Sequence, residues 1–355
     1  MTRLILETLS PVHIGNGEKY SSAEFISAGS SIHRMDINEI YTILSEKEKE
    51  LFVTSLENER FRLDDFIRGK KIPYDQMKLY SVENKGNTPF EIKEHIKTGL
   101  KGYVPGSSVK GAIKTAVLSA FVGENEIDTI YDIFEIREPK RRNHEIQHFI
   151  EDIFSSGDKK SSYSDFMRFV EISDFMPINK LAVFEVRSLE VGEKKGWYWY
   201  KRNYTVVKTF CESIKAGEKM EGDIRFTYHE NMHHGLGLKG KSEILNLEDI
   251  KGFVHTFSSN LINYELSFSK KYGIDFLTEF YENLKKLNTL DSPLIKIGHG
   301  SGFLGTTIGI DIKKDPEVFE KVRKSLRGRS YGFEYPKTRL IAFEENVPMG
   351  WCKIL

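Results

Sequence analysis

Two cysteines, Cys211 and Cys352, are all that a chain of 355 residues carries. They sit in unrelated contexts with no CxxC pair, which excludes a disulfide framework or a cysteine zinc cluster and makes a reducing compartment the expectation. An excess of either charge is also lacking: Lys and Arg total 52, Asp and Glu total 52, and the formal net charge is zero. Phosphate neutralisation supplies most of the affinity of a protein that binds nucleic acid alone, so this balance argues against a stand-alone binder. It argues less against a chain that shares one nucleic acid with neighbouring subunits. No apolar run approaches the roughly 18 residues of a membrane-spanning helix. Met1 is followed by Thr2-Arg3 and an alternating strand in place of a signal-peptide core. A soluble, cytoplasmic protein with no membrane partner is expected.

What is present suffices for a core. Hydrophobic residues make up 39% and charged residues 29%, the mixture of a folded chain, and at roughly 150 residues per domain the length suggests about two domains. The 24 Phe and 16 Tyr suit sheets and equally suit stacking on bases. Residues 4–12 read as a strand ending in a turn at Ser10-Pro11, Gly15-Asn16-Gly17 as a loop, and Phe25 to Ile32 as a hairpin. Ile37 to Phe66 has helical spacing, as do Val109 to Phe121 and Ile127 to Phe154. Ser155 to Ser164 is a polar loop. Strand-rich texture follows over Phe166 to Val191, Trp197 to Val207 and Gly222 to Tyr228. Helical spacing returns from Leu247 to Leu287 and from Pro316 to Leu326, and the tail (Arg339 to Phe343, Met349 to Ile354) is strand-like. Helices and strands interleave without a βαβ period, so the class is α+β. The best boundary lies between residues 178 and 190, dividing 1–182 from 183–355.

Three glycine-rich passages carry the functional signal: Ser10-Pro11-Val12-His13-Ile14-Gly15-Asn16-Gly17, Tyr103 to Thr115, and Lys296 to Gly305. The second passage reads as a turn feeding a helix. Ser107 or Ser108 can cap that helix, and its free N–H groups and dipole favour an anion. Lys110 and Lys114 share one helical face, and Gly111 lets a backbone approach closely. Such a site grips phosphates without reading bases; an ordinary capped helix with a surface lysine pair has the same sequence.

In combination the passages resemble the RAMP superfamily of CRISPR proteins. Its Pro-Gly-Ser-Ser-hydrophobic-Lys-Gly entry to a helix stands at Pro105 to Gly111. The opening Pro11-Val12-His13-Ile14-Gly15-Asn16-Gly17 and the closing Pro348-Met349-Gly350-Trp351 look most like the Csm-type subunit that caps the crRNA 3′-end side of type III-A interference complexes. The resemblance implies two ferredoxin-like (RRM-like) domains and a structural subunit that grips single-stranded crRNA. It also implies sister backbone subunits and small helical subunits as partners, a link to crRNA 3′-end maturation, and no cofactor. The RNA contacts it implies are His13, Gly15, Asn16 and Gly17; Gly106, Ser107, Ser108, Lys110, Gly111 and Lys114; and Gly298, His299, Gly300, Ser301 and Gly302. RAMP subunits that cut target RNA carry an aspartate in the loop after the first strand. Here Gly15 to Phe25 holds Glu18 and Glu24 but no Asp, and Asp36 lies beyond the hairpin, so no catalytic residue is expected.

Competing chemistry is weaker. His144-Glu145-Ile146-Gln147-His148 matches the HExxH pattern of zinc proteases, and Glu171 is a candidate third ligand. Lys140, Arg141 and Arg142 directly precede it, however, and cations there oppose both the helix dipole and a divalent metal. A solvated helix face is the better reading, and no metal is expected. Gly298 to Gly302 lacks a Rossmann setting, since strand-like Phe303 to Ile310 follows it with no helix opening at the last glycine. His13 and His299 suit RNA contact or loop fixing; as a base–acid pair they would make a metal-independent crRNA-processing endoribonuclease, the main alternative. Trp197 to Arg202 alternates aromatics and ends basic, either a stacking strip or a core-and-interface strand. Lys321 to Arg329, with Lys337 and Arg339, read as phosphate-tracking cations or as a solvated helix end.

Overall fold

A computed structural model of the chain describes residues 2–155, 165–178, 180–194, 196–227, 246–327 and 333–355. The expected polar loop at Ser155 to Ser164 lies outside them except for its first residue, and so does Arg329.

The chain opens with β1 (Thr2–Thr8), whose alternation buries Leu4, Leu6 and Thr8. It continues through β2 (Gly15–Ser21) and the hairpin β3 (Phe25–Ala28) and β4 (Ser31–Met35). The helical stretch after it is three helices: α1 (Ile37–Ile43), α2 (Glu46–Leu56) and α3 (Leu63–Lys70). Caps divide them. The Asp36 carboxylate accepts the amides of Asn38 and Glu39, and Ser45 with Glu48 forms a capping box. β5 (Lys78–Asn84), β6 (Glu91–His95), β7 (Lys97–Thr98) and β8 (Lys101–Val104) lead to α4 (Gly106–Ala120). The next helical region is likewise two helices, α5 (Glu124–Glu135) and α6 (Pro139–Phe154), the latter opened by a proline at its first position.

The strand-rich half holds β9 (Val170–Ile172), β10 (Phe175–Ile178), β11 (Leu181–Val191), β12 (Trp197–Trp199), β13 (Lys201–Arg202), β14 (Thr205–Val206), β15 (Lys208–Ile214) and β16 (Lys219–Phe226). Helices α7 (Leu247–Tyr272) and α8 (Asp275–Leu287) pack together before β17 (Leu294–Lys296). Then come α9 (Gly302–Thr306), α10 (Gly309–Ile312), α11 (Pro316–Arg327), β18 (Thr338–Ala342), β19 (Val347–Pro348) and β20 (Trp351–Ile354). The strand expected at Phe303 to Ile310 is therefore helical, and a helix does open at Gly302. A side chain at Gly309 would collide with the Phe303 ring, so glycine permits a tight packing of successive turns that the β-branched composition did not suggest.

The α+β class holds, and the strands form two main sheets. One has the order β17-β20-β1-β16-β10-β8-β7, with β9 beside β16; the other runs β2-β6-β15-β11-β5-β4-β3, with β12 and β18 also pairing β11. A single large core joins them: Leu4, Leu6, Val109 and Ile113 pack with Phe257, Leu261, Tyr281 and Trp351. Each fully buried large apolar side chain contributes about 1.5–3 kcal/mol. The boundary expected between residues 182 and 183 falls inside β11, and each sheet takes strands from both sides of it.

That interleaving positions the site. The chain passes from one sheet to the other between β1 and β2, β6 and β7, β10 and β11, β15 and β16, β17 and β18, and β19 and β20. These crossings are knit together. Ser10 N–H donates to the Trp351 carbonyl at 3.3 Å, Val12 and Ile214 exchange both backbone bonds, and Gly350 N–H donates to the Pro11 carbonyl at 2.9 Å. The Ile14 amide donates to His95 Nδ1 at 3.2 Å.

Candidate nucleic-acid interface

At this seam the first and third glycine passages meet. His13 is 3% exposed. Its Nδ1–H donates to the Glu212 carbonyl at 2.6 Å, and its own carbonyl accepts the His299 amide at 2.8 Å. The His13 ring stands edge-on to His95 (centroids 6.0 Å) and to His299 (5.7 Å). Gly298, at φ +70°, lies so close that a Cβ there would collide with the His13 carbonyl oxygen; glycine is what lets the two loops touch. Burial favours the neutral imidazoles, pushing His13 down to about 4 and His95 down to about 3, and His299 is lowered for the same reason.

Beneath the loops lies a buried polar network absent from the sequence reading. The Glu212 carboxylate, 0% exposed, accepts from the Tyr20 hydroxyl at 2.7 Å, the Tyr80 hydroxyl at 2.9 Å and the His95 amide at 3.2 Å. Lys97 supplies its counter-charge and also reaches Glu94 at 2.9 Å. Every member is partnered, as a buried charge requires. Burial and the Glu212 charge hold both tyrosines well above the ordinary phenol range, so they remain donors.

Above the network an open groove of about 520 Å³ is lined by His13, Gly15, Lys19, Lys93, Gly298 and His299, among others. Lys19 and Lys93 stand directly opposite each other across β2 and β6. Like charges so paired repel. Glu91 takes Lys19 at 2.6 Å, whereas Lys93 has no carboxylate within ion-pair distance among the described residues. Gly15, Asn16 and Gly17 are exposed at the groove's edge. A phosphate chain fits this electrostatics. Lys93 was missed because Lys-x-His within an alternating strand looks like an ordinary solvent face.

The second passage is built differently from the expectation. Pro105 is the N-cap of α4 and neither Ser107 nor Ser108 caps it. The Gly106 amide donates to the Asp174 carboxylate at 2.8 Å, so that amide already has an anion. A Cβ at Gly106 would strike the carbonyl of Ile172, so its glycine serves the approach of the β9–β10 turn. Gly111 faces open space. Lys114 donates to Asp165 at 2.6 Å and lies over the Phe154 ring, which leaves Lys110 as the cation of the pair without an ion-pair partner among the described residues. The helix nonetheless packs against β17 and α9, beside the third passage.

Of that third passage, Gly298 and His299 face the groove, while Gly300, Ser301 and Gly302 line a separate cavity. The remaining candidates resolve singly. His144 and His148 sit on the exposed face of α6 with Nε2 atoms 3.2 Å apart. Glu171 is elsewhere, paired with Arg225 at 2.7 Å, and among the described residues no three His, Cys, Asp or Glu converge to hold a metal. Glu18 is exposed on β2, in a strand where a loop was expected, and Glu24 is engaged by the Ser21 amide and by Arg34, each at 2.8 Å. Trp197 and Trp199 pack on Phe276 and Phe343, whereas Tyr198 and Tyr200 are exposed. Lys321 pairs with Glu135 and Lys337 with Glu190. Arg339 is buried under the surface, not displayed on it.

Comparison with known proteins agrees with this architecture. The model of the RAMP superfamily matches residues 5–304. A protein of Methanocaldococcus jannaschii described as CRISPR system Cms protein Csm5 is 23% identical, with 98% of this chain and 87% of that one covered. The Streptococcus thermophilus protein of the same description is 26% identical over 84% of this chain and 78% of its own length. A chain in the cryo-EM structure of a Csm–crRNA–target RNA ternary complex of a type III-A CRISPR-Cas system superposes with a TM-score of 0.73 at 22% identity, covering all of both chains. The crystal structure of T. onnurineus Csm5 gives 0.68 at 21% identity, covering 98% of this chain and 99% of that one. No helix among the described residues is long and apolar enough to cross a membrane.

Proposed function

Because the chain belongs to the RAMP superfamily, we propose that it is a structural, RNA-gripping subunit of a type III-A CRISPR ribonucleoprotein. The observation that carries this reading is the pairing of Lys19 with Lys93 on a groove edged by the two glycine loops. Cations facing each other without full compensation are stabilised by a backbone phosphate, and glycine edges let the sugar–phosphate chain lie close. Cations and exposed glycine backbone along the groove suit a guide held through backbone and shape. A chain of zero net charge then contributes a few contacts to an RNA whose other phosphates are neutralised by sister subunits, which here would be Csm backbone and small helical subunits. Capping of the crRNA 3′-end side is part of the same proposal.

The test is a salt series. Single-stranded RNA binding is measured for wild type and for Lys93→Ala, which should weaken all sequences alike and lower the salt slope by about 0.7. An unchanged slope and affinity would remove the groove from the RNA path.

A second reading has one observation in its favour, since His13 and His299 meet where a base–acid pair would need to. Against it, burial disfavours the protonated form of both rings, so the pair has a base but no acid. We therefore place the protein among the non-enzymatic subunits.

A further inference from the structure

The cavity on the far side of the third glycine loop is distinct from the groove. It encloses about 470 Å³ between Gly300 to Leu304 and Tyr335 to Leu340, with Lys296, Glu265 and Arg339 at its floor. All three floor residues are buried: Lys296 is 7% exposed, Glu265 3% and Arg339 6%. Arg339 Nε donates to Glu265 at 2.6 Å, and its Nη1 donates to the carbonyls of Pro336 (3.0 Å) and Thr338 (2.9 Å). Its Nη2 is buried without any hydrogen-bond partner among the described residues. Lys296 has no ion pair or hydrogen bond there either, and lies 5.6 Å from the centroid of the Trp351 ring.

The charges do not balance. Two buried cations face one carboxylate at the cavity floor, and although the Arg339 guanidinium stacks 4.0 Å from the Phe268 ring centroid, its Nη2 finds no acceptor among the described residues. Desolvation without a partner is costly for either group, and burial already pulls Lys296 down to about 8. A bound anion would accept from Arg339 Nη2, pair with Lys296 and restore the balance. A tetrahedral oxyanion suits a planar guanidinium beside a point-charge ammonium.

We propose that this cavity is a phosphate-binding site, with Arg339 Nη2 and Lys296 Nζ as its donors and the Gly300–Gly302 backbone as its rim. The cavity, about 470 Å³, has room for more than an isolated phosphate, so a phosphate carried on a nucleotide fits as well. The source of the phosphate rests on the RNA reading above, because the same loop forms the groove on its other side; the phosphate chemistry itself does not.

The test uses the full-length protein in chloride and in phosphate buffers of matched ionic strength. Inorganic phosphate and AMP should each raise the melting temperature of wild type, as any ligand of the native state does. Lys296→Met should lose about tenfold or more in affinity for both, while being at least as stable as wild type in chloride, where its charge is uncompensated. Should the Met variant fail to fold, Lys296→Gln takes its place; failure of both in chloride would make the lysine a structural partner of Glu265 and overturn the site. An equal phosphate response in wild type and variant, or none in either, overturns it as well. Competition by single-stranded RNA assigns the phosphate to the RNA, and lack of competition assigns it to a free nucleotide; both support the site. Wild type that binds no RNA at all but still answers phosphate through Lys296 would sink the RNA reading alone.

Discussion

The His299 amide donates to the His13 carbonyl oxygen at 2.8 Å, and the two imidazoles meet edge to face with centroids 5.7 Å apart. One bond thus ties the segment after the first strand to the loop after β17, across the line where the chain repeatedly changes sheets. The tie brings His13 and His299 to the same groove, so the packing of these two loops helps set its geometry.

Gly298→Ala tests the tie. At φ +70° the substitution carries a left-handed penalty of about 1–2 kcal/mol, and its Cβ collides with the His13 carbonyl besides. Gly17→Ala, at φ +92° in open space, carries only the first cost. Chemical denaturation should show Gly298→Ala clearly the less stable of the two, with weaker RNA binding. Equal losses would mean that the loops are free to part.

The buried histidines make stability pH-dependent. The ordinary imidazole value of 6.5 applies to the unfolded chain, whereas the native state holds His13 near 4 and His95 near 3. Above pH 6.5 both states are neutral and nothing changes. As pH falls from 6.5 towards 4 the unfolded chain binds protons that the native state refuses, so stability falls by about 1.4 kcal/mol per pH unit for each histidine. The groups facing these rings are the carbonyls of Glu212 and Tyr103, the His299 ring, and Lys93 and Lys97. Denaturation midpoints across pH 7 to 4.5 should show the decline, and His95→Gln should shallow it. A slope untouched by that variant would place the titration elsewhere.

Much of this was legible beforehand because it rests on local signals. The helical spacing over residues 37–66 and 127–154 was read from sequence, and the glycine passages with His13 and His299 drew attention to the residues that form the seam, whereas the signals that divide those helical stretches, Ser45 with Glu48 and Pro139, were not read. Glu212, Lys97 and His95 were not legible. Glu212 and His95 sit in strands where a polar residue every second position means solvent, yet both are buried where β6 pairs with β15, and Lys97, on β7 just beyond β6, turns its side chain in to meet Glu212. The two glycines of the helix entry were misweighed for a similar reason: Gly106 answers a turn distant in sequence, and Gly111 answers nothing within the chain.

That last contrast yields a discriminating substitution. Gly111 lies in a helix with open space before it, so Gly111→Ala should stabilise the protein by about 0.5–1 kcal/mol. If an RNA backbone lies against this helix, the same variant should weaken RNA binding while it raises the melting temperature. Lys110→Ala should then reduce the salt slope by about 0.7, and Lys114→Ala, whose ammonium is held by Asp165, should change it less. Stabilisation with unaltered RNA affinity in all three variants would take α4 out of the RNA site.

Catalysis is the remaining question. Metal-assisted cleavage needs carboxylates that converge on a cation. Glu18 projects from an exposed strand, while Glu24 is occupied by the Ser21 amide and Arg34. Metal-independent cleavage needs one imidazole to accept a proton and another to donate one. His13 and His299 are close enough, but burial disfavours the protonated form of both near neutral pH, and a neutral pair has no acid. Guide-length RNA should therefore stay intact with Mg²⁺, Mn²⁺ or EDTA present. A labelled-RNA time course on wild type, Glu18→Gln/Glu24→Gln and His299→Ala proteins checks this. His299→Ala is the informative single variant, since its partly buried ring lies at the groove surface, whereas His13→Ala/His299→Ala also opens a buried hole. Wild-type cleavage lost on removing the carboxylates would reveal a metal site assembled only on RNA. Cleavage lost with His299 would show that bound phosphate raises the affinity of that imidazole for a proton enough to supply the missing acid, and the protein would be an endoribonuclease.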